Sequence, residues 1–181
     1  MSQRLPIFTY HPDPIGTGSV VESEQVCECC GSARGYKYNG SPHCDAEVEI
    51  ICPWCIADGS AHEKFGAEFT DRQGIGDHGR WGQVSDAISD VVAHRTPGFS
   101  GWQQERWWVC CADAAAFVGA AGKEELVKLG DDAVESIRSE SGFDADEWRV
   151  YFEALDKDHG PTAYMFRCHH CGKLGGYSDC H

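Results

Sequence analysis

The sequence predicts an α+β fold in which small antiparallel hairpins carry zinc-knuckle cysteine pairs and pack against a helical middle region. Three observations predict it. Cysteines recur as C-x2-C pairs at Cys27/Cys30, Cys52/Cys55 and Cys168/Cys171, a bite that sets two sulfurs on one tetrahedral metal. Short stretches of alternating apolar and polar residues flank those pairs, as half-buried strands do. Helical periodicity with N-capping residues concentrates between about residues 83 and 157. The length of 181 residues suits one domain. Within it we expect a zinc-knuckle lobe at about 20–60, the helical region, and a C-terminal knuckle hairpin at about 161–181.

Residues 5–14 alternate aromatic and polar side chains and hold Pro6, Pro12 and Pro14, so they read as an extended edge segment. Gly16 to Gly18 form a loop. Val20-Val21 lead into the first knuckle, where Gly31 suits a positive φ. Tyr36-Lys37-Tyr38, an Asn39-Gly40 turn and the alternating stretch Glu47 to Ile51 read as a hairpin delivering Cys52 and Cys55. Ser60-Ala61-His62-Glu63 has capping-box spacing for a short helix with Ala61, Phe65 and Phe69 on its apolar face. Residues 74–82 are a glycine-rich loop.

Ser85 caps a helix running through His94, with Ile88, Val91 and Val92 inward, and Arg95-Thr96-Pro97-Gly98 stops it. Beyond Trp102, Trp107 and Trp108, Val109-Cys110-Cys111 reads as a short strand entering the core. Asp113 is expected to cap a helix over Ala114 to Ala121, with further helices at Glu124–Leu129 and Asp132–Ser139. Asp144 to Glu147 form a second capping box, opening a helix with Trp148, Tyr151, Phe152 and Leu155 on one side. Ala163 to Arg167 read as a strand into the last knuckle, and Leu174 to Tyr177 as its returning partner.

Charge and cysteine usage narrow the function classes. Fifteen basic against 29 acidic residues give a net charge of −14. Each zinc on four thiolates adds about −2. A phosphate backbone repels such a surface, and no run of Lys and Arg offers a basic patch, so nucleic acid is an unlikely partner. The acidity serves solubility, or it presents an acidic face to a basic protein partner. The eleven cysteines fit a reduced, cytoplasmic metal protein better than a secreted disulfide framework. Met1-Ser2-Gln3-Arg4-Leu5-Pro6 lacks the apolar region of a signal peptide, and no apolar run reaches the ~20 residues of a membrane span.

The first expected metal site is Cys27, Cys30, Cys52 and Cys55, because zinc prefers soft thiolates in a tetrahedron. Cys29 could replace Cys27, although Cys29-Cys30 would be an awkward adjacent chelate. The rival reading of Cys52-Pro53-Trp54-Cys55 is a redox pair. It lacks a surrounding βαβ unit, and a second cysteine pair stands ready. The second site is anchored by Cys168 and Cys171, with Cys110 and Cys111 as the best partners. Its fourth ligand stays open among Cys110, Cys180, His169, His170 and His181. Four thiolates close the zinc shell, whereas catalytic zinc keeps an open position. No H-E-x-x-H is present, and the deaminase pattern fails because Pro53 follows Cys52 rather than preceding it. Asp77-His78 could form an acid/base pair, though a lone His beside Asp is usually surface.

Cys52-Pro53-Trp54-Cys55-Ile56-Ala57-Asp58-Gly59-Ser60-Ala61 resembles the signature of the CbrC family, small bacterial proteins known through colicin tolerance. Phe8 to Pro14, Arg34-Gly35-Tyr36, Lys64-Phe65, Arg95 to Gly98 with Trp102-Gln103, and Cys168 to Gly172 also look like that family, in order and across nearly the whole chain. In the family a further cysteine tends to follow the Cys111 position by four residues, where this chain has Ala115. The departure leaves the fourth ligand of the second site in doubt.

Two functions are therefore expected in competition. One is a zinc-binding, non-enzymatic protein, with the resemblance implying a role in toxin tolerance, that meets a basic partner through its acidic surface. The other is a metal-dependent hydrolase or thiol-redox enzyme gathering Asp58, His62, Asp77 or His78 near a metal. Asp58-Gly59 also reads simply as a turn with a side-chain cap.

Overall fold

The computed structural model describes residues 4–180. Among them the chain forms three small antiparallel sheets and six α-helices, the α+β arrangement expected from the sequence.

The N-terminal lobe is built around a hairpin of β1 (Val20–Ser23) and β2 (Gly35–Tyr38), paired from Val20 opposite Tyr38 to Ser23 opposite Gly35. The first knuckle lies in the connection between these strands. This corrects the expected hairpin of residues 36–38 with 47–51, which overrated the Asn39-Gly40 turn. Residues 47–51 form no strand; they are tied down by Tyr38 N–H on the Ile51 carbonyl (2.8 Å) and Glu28 N–H on the Ile50 carbonyl (2.9 Å).

Two short helices follow, α1 (Pro53–Ala57) and α2 (Ser60–Phe65). Ser60 is not the cap of α2 but its first residue, and Gly59 stands before it at φ 84°. Asp58 accepts the Ser60 N–H (2.9 Å) and hydroxyl (2.6 Å), which is the capped turn that Asp58-Gly59 suggested. Phe69 is buried but lies beyond the helix.

Ser85 does cap α3 (Asp86–Arg95), its Oγ accepting Ile88 N–H at 3.3 Å. Val92 and Ala93 form its buried face, while Val91, expected inside, is 37% exposed. The polypeptide then reaches the β3 (Val109–Cys110) and β4 (Asp113–Ala114) hairpin, joined by Cys111 and Ala112 alone. Both linking residues are left-handed, at φ 55° and 58°. A two-residue loop needs that conformation to match strand twist, and Asn or Gly usually supplies it.

The helix expected over Ala114–Ala121 is instead β5 (Ala116–Ala121), the edge of a sheet in the order β5-β6-β7. Its alanines favour a helix locally. Pairing with β6 (Thr162–Arg167), from Ala116 opposite Arg167 to Ala121 opposite Ala163, overrides that preference. A bulge between Phe117 and Gly119 interrupts the register. β6 and β7 (Leu174–Asp179) form the expected C-terminal hairpin around the last knuckle. Helices α4 (Lys123–Leu129), α5 (Asp131–Ser141) and α6 (Ala145–Ala154) fill the connection from β5 to β6. Asp144 accepts the N–H groups of Asp146 and Glu147, and Glu147 returns to Asp144 N–H at 3.1 Å, completing the capping box.

β6 joins two cores because successive strand residues face opposite ways. Tyr164 and Phe166 enter an aromatic cluster with Phe99, Trp107, Phe117 and Tyr177. Ala163 and Met165 face α4–α6, meeting Leu126, Ile137 and Trp148. A third cluster, under the first knuckle, contains Phe8, Ile51, Ile56 and Phe69 together with Cys27, Cys52 and Cys55.

The N-terminal segment, expected to be extended, forms no strand and bends at Thr9-Tyr10 and at Pro12; it is pinned to β5 by Phe117 N–H on the Tyr10 carbonyl (2.8 Å). His11 on this segment is fully buried. Its Nδ1 meets the Pro97 carbonyl at 2.7 Å and its Nε2 meets Thr17 Oγ1 at 2.6 Å. A carbonyl only accepts, so Nδ1 carries the proton and Nε2 receives the Thr17 hydroxyl.

Candidate metal centres

The first and last knuckles are shaped by the same backbone bonds. Cys27 N–H reaches the Ser32 carbonyl (3.0 Å) and Gly31 N–H reaches the Cys27 carbonyl (2.7 Å). Cys168 N–H reaches the Lys173 carbonyl (2.9 Å) and Gly172 N–H reaches the Cys168 carbonyl (3.1 Å). Gly31 and Gly172 take φ 69° and 73°, the left-handed turn that turns each strand back. The Cys52/Cys55 pair is made differently. Cys52 precedes α1, Pro53 opens it, and Cys55 lies one turn along with its N–H on the Cys52 carbonyl (3.1 Å).

These elements gather eight thiols into two groups of four. Cys27, Cys30, Cys52 and Cys55 form one, and Cys110, Cys111, Cys168 and Cys171 the other. Within each group all four sulfurs lie within 4.8 Å of one another. In the first, Cys27–Cys55 and Cys30–Cys52 are 3.9 Å apart and Cys52–Cys55 3.5 Å. In the second, Cys110 lies 3.8 Å from Cys111 and 3.7 Å from Cys171. A tetrahedron with metal–sulfur bonds of about 2.3 Å has edges of about 3.8 Å, whereas a disulfide would need about 2.05 Å. The donor sets therefore fit a metal ion, and all these cysteines are free thiols.

Surroundings reinforce the fit. Cys52 N–H points at Cys27 Sγ (3.3 Å). Lys64 places its ammonium on the carbonyls of Glu28 (2.8 Å) and Cys29 (2.9 Å), beside the first group. Burial pushes the Cys52 thiol up to about 11 and raises Cys55 and Cys110 as well. Burial also opposes ionisation of Cys30 and Cys168. Neighbouring N–H groups, of Ser32 for Cys30 and of Cys171 and His170 for Cys168, join nearby thiols in bringing them down to about 7 and about 6. One sulfur of each group thus ionises readily while others resist. A cation at the centre relieves that conflict.

The remaining candidates stand apart from both groups. Cys29 turns to Ser60 Oγ (3.5 Å). His170 Nε2 meets Asp113 Oδ2 at 2.9 Å, and Asp113 Oδ1 accepts the Tyr10 hydroxyl at 2.9 Å, so a Tyr–Asp–His chain braces the last knuckle against the N-terminal segment. His169 sits edge-on to the Tyr10 ring. Cys180 is exposed, with its carbonyl on Gln103 Nε2. His181 lies outside the described residues. Ala115, standing where the resemblance suggested another cysteine, is buried in the aromatic core, and its carbonyl receives the Trp107 indole N–H.

The residues considered for catalysis do not assemble either. His62 stacks on His94 at 3.6 Å between ring centroids and places Nδ1 on the Ala67 carbonyl. Asp77 turns its carboxylate to Arg106 (3.2 Å) and Arg80 (3.5 Å), while His78 is exposed. Sequence reasoning missed the brace at Asp113 because nothing local connects Tyr10, Asp113 and His170. No described helix is long and apolar enough to cross a membrane.

Comparison with known proteins places this geometry in a lineage. No solved structure matches the chain. A UPF0167 protein of Pseudomonas aeruginosa is 43% identical over 175 residues, covering 96% of both chains. UPF0167 proteins of Mycobacterium bovis and Mycobacterium tuberculosis are each 46% identical over 184 residues, covering 98% of this chain and 94% of theirs. The family profile described as "Uncharacterised protein family (UPF0167)" matches residues 5–180. With that match and these relatives over nearly its whole length, the chain belongs to the UPF0167 family.

Proposed function

We propose that each cysteine group holds one structural zinc ion and that the protein works by binding rather than by catalysis. The carrying observation is the pair of four-sulfur groups with tetrahedral edge lengths. Four thiolates saturate zinc, leaving no position for a reacting water. Cys27, Cys30, Cys52 and Cys55 would fasten the β1–β2 lobe to α1. Cys110, Cys111, Cys168 and Cys171 would fasten the β3–β4 hairpin to the C-terminal sheet. What the ions supply is folding energy.

The partner in this reading is a basic protein in the cytoplasm, drawn by the net charge of −14. The resemblance to the CbrC family suggests toxin tolerance as the setting. Native mass spectrometry with elemental analysis on reduced protein tests the metal reading. Two zinc ions per chain are expected, and a metal-free folded chain would refute it. Loss of tolerance on deleting the gene, with a basic partner recovered from colicin-challenged cells, is the expected cellular result.

A further inference from the structure

Helix α6 is apolar on two sides. Trp148, Phe152 and, at its end, Leu155 pack inward with Leu126 and Ile137. A second stripe turns outward. Glu147, Val150, Tyr151 and Ala154, spaced i, i+3, i+4 and i+7, join Phe143, Pro161 and Cys180 around one groove of about 690 Å³. Val150 is 66% exposed and Phe143 38%. Single exposed apolar residues are ordinary, but an apolar stripe continued along the outer face of a helix is a surface made for docking.

The groove is also built in advance. Phe143 packs on the Tyr151 ring at 4.8 Å between centroids, and the Tyr151 hydroxyl is fixed on Ser178 Oγ at 3.0 Å. The Pro161 carbonyl receives Asp156 N–H at 2.8 Å, which holds the far wall. A groove fixed in this way loses little freedom when it is filled.

Charge decides what fills it. Asp146 and Glu147 lie in the lining, and residues 143–158 carry six carboxylates against only Arg149 and Lys157. Both cations are already on carboxylates, Arg149 at 4.0 Å from Asp146 and Lys157 at 3.0 Å from Asp158. A second copy of this chain would bring the same acidic edge against its own, and an anionic membrane would be repelled. An apolar ridge flanked by Lys or Arg meets both the floor and the rim. We propose that this groove binds a basic amphipathic helix of a partner protein. Its apolar side chains lie between Phe143, Val150 and Pro161, and its cations face Asp146 and Glu147. The inference rests on the basic-partner reading and locates the contact.

The test is fluorescence anisotropy of a labelled amphipathic Leu/Lys peptide of about 16 residues, titrated with the zinc-loaded full chain. Saturable, salt-sensitive binding is expected, at least tenfold tighter than that of a peptide of the same composition scrambled to destroy its apolar face. Val150→Glu should weaken binding at least tenfold although it adds a negative charge, and Ala154→Glu should do the same. Val127→Glu, at a 58% exposed valine on α4, should not weaken it. All three positions are exposed, so melting temperatures should stay level. Equal binding of the scrambled peptide, or undiminished binding by both Val150→Glu and Ala154→Glu, would overturn the groove while leaving a diffuse acidic surface for a basic partner. Absence of binding by either peptide would overturn the groove and the basic-partner reading together. Sedimentation equilibrium showing a dimer that Val150→Glu dissolves would overturn the proposal by making a second copy the occupant.

Discussion

Replacing His11 by Asn should abolish a specific part of the acid sensitivity of this fold. The imidazole is buried edge-on to Phe117 and held neutral between the Pro97 carbonyl and the Thr17 hydroxyl. Burial lowers its pKa to about 4, outweighing the opposing effects of the Pro97 carbonyl and Asp13. In the unfolded chain an ordinary histidine titrates near pH 6.5. The sign follows from the lowered value. Above about pH 6.5 both states are neutral at this position and stability is full. As the pH falls from about 6.5 to about 4 the unfolded chain takes up a proton that the folded chain refuses, so stability is lost. The loss is about 2 kcal/mol by pH 5 and about 3 kcal/mol by pH 4. His11→Asn keeps a donor for Pro97 but does not titrate, and should cost about 1–3 kcal/mol at pH 7.5 through the lost Thr17 bond and lost ring packing. Urea unfolding at pH 7.5 and pH 5, with zinc saturating, measures the gap between the two proteins. Any acid loss of metal is common to both and cancels. The gap should narrow by about 2 kcal/mol at pH 5. A gap unchanged between the two pH values would refute the assignment of a buried, neutral imidazole.

Other substitutions probe the metal sites and the local strain. Cys52→Ser should remove one zinc equivalent and at least about 4 kcal/mol of stability, because its sulfur is buried in the cluster with Ile51 and Ile56. Cys111→Ser should also remove one equivalent but cost less, since Cys111 is exposed. Either variant retaining two equivalents by elemental analysis contradicts the assigned ligands. Ala112→Gly should raise thermal stability by about 0.5–1 kcal/mol by relieving the left-handed backbone of the β3–β4 loop. A clear loss in a melting experiment would show that the alanine methyl is needed there. Asp144→Ala should cost about 1 kcal/mol in urea unfolding through loss of both bonds to the start of α6, and no change would deny the cap its role.

Features governed by neighbouring residues were legible in the sequence. The three C-x2-C bites, the caps at Ser85 and Asp144, and the β6–β7 hairpin all appear where spacing and capping chemistry put them. Features governed by distant partners were not. Residues 116–121 carry three alanines and read as a helix, yet β6 lies beside them and Tyr10 binds Phe117, so they extend. Asn39-Gly40 suggested a turn between strands, but the true partner of β2 lies upstream, across the knuckle. Cys110 and Cys111 were marked as partners for the last knuckle from their chemistry alone. Their means of presentation, a two-residue loop with both residues left-handed, had no local signal because neither is Gly or Asn.

The two cysteine groups differ in how far along the chain their parts are spaced, and this orders their assembly. The first draws only on residues 27 to 55, so a nascent chain carries its complete ligand set once Cys55 and the flanking β1–β2 hairpin have emerged. The second must wait while α4, α5 and α6 are made, because Cys110 and Cys111 meet Cys168 and Cys171 only after the intervening helices have been laid down. Until then the adjacent thiols of the β3–β4 loop are a half-built, solvent-facing chelate. The chain is open to oxidation or to the wrong metal for longest there, at its middle, rather than at its first knuckle.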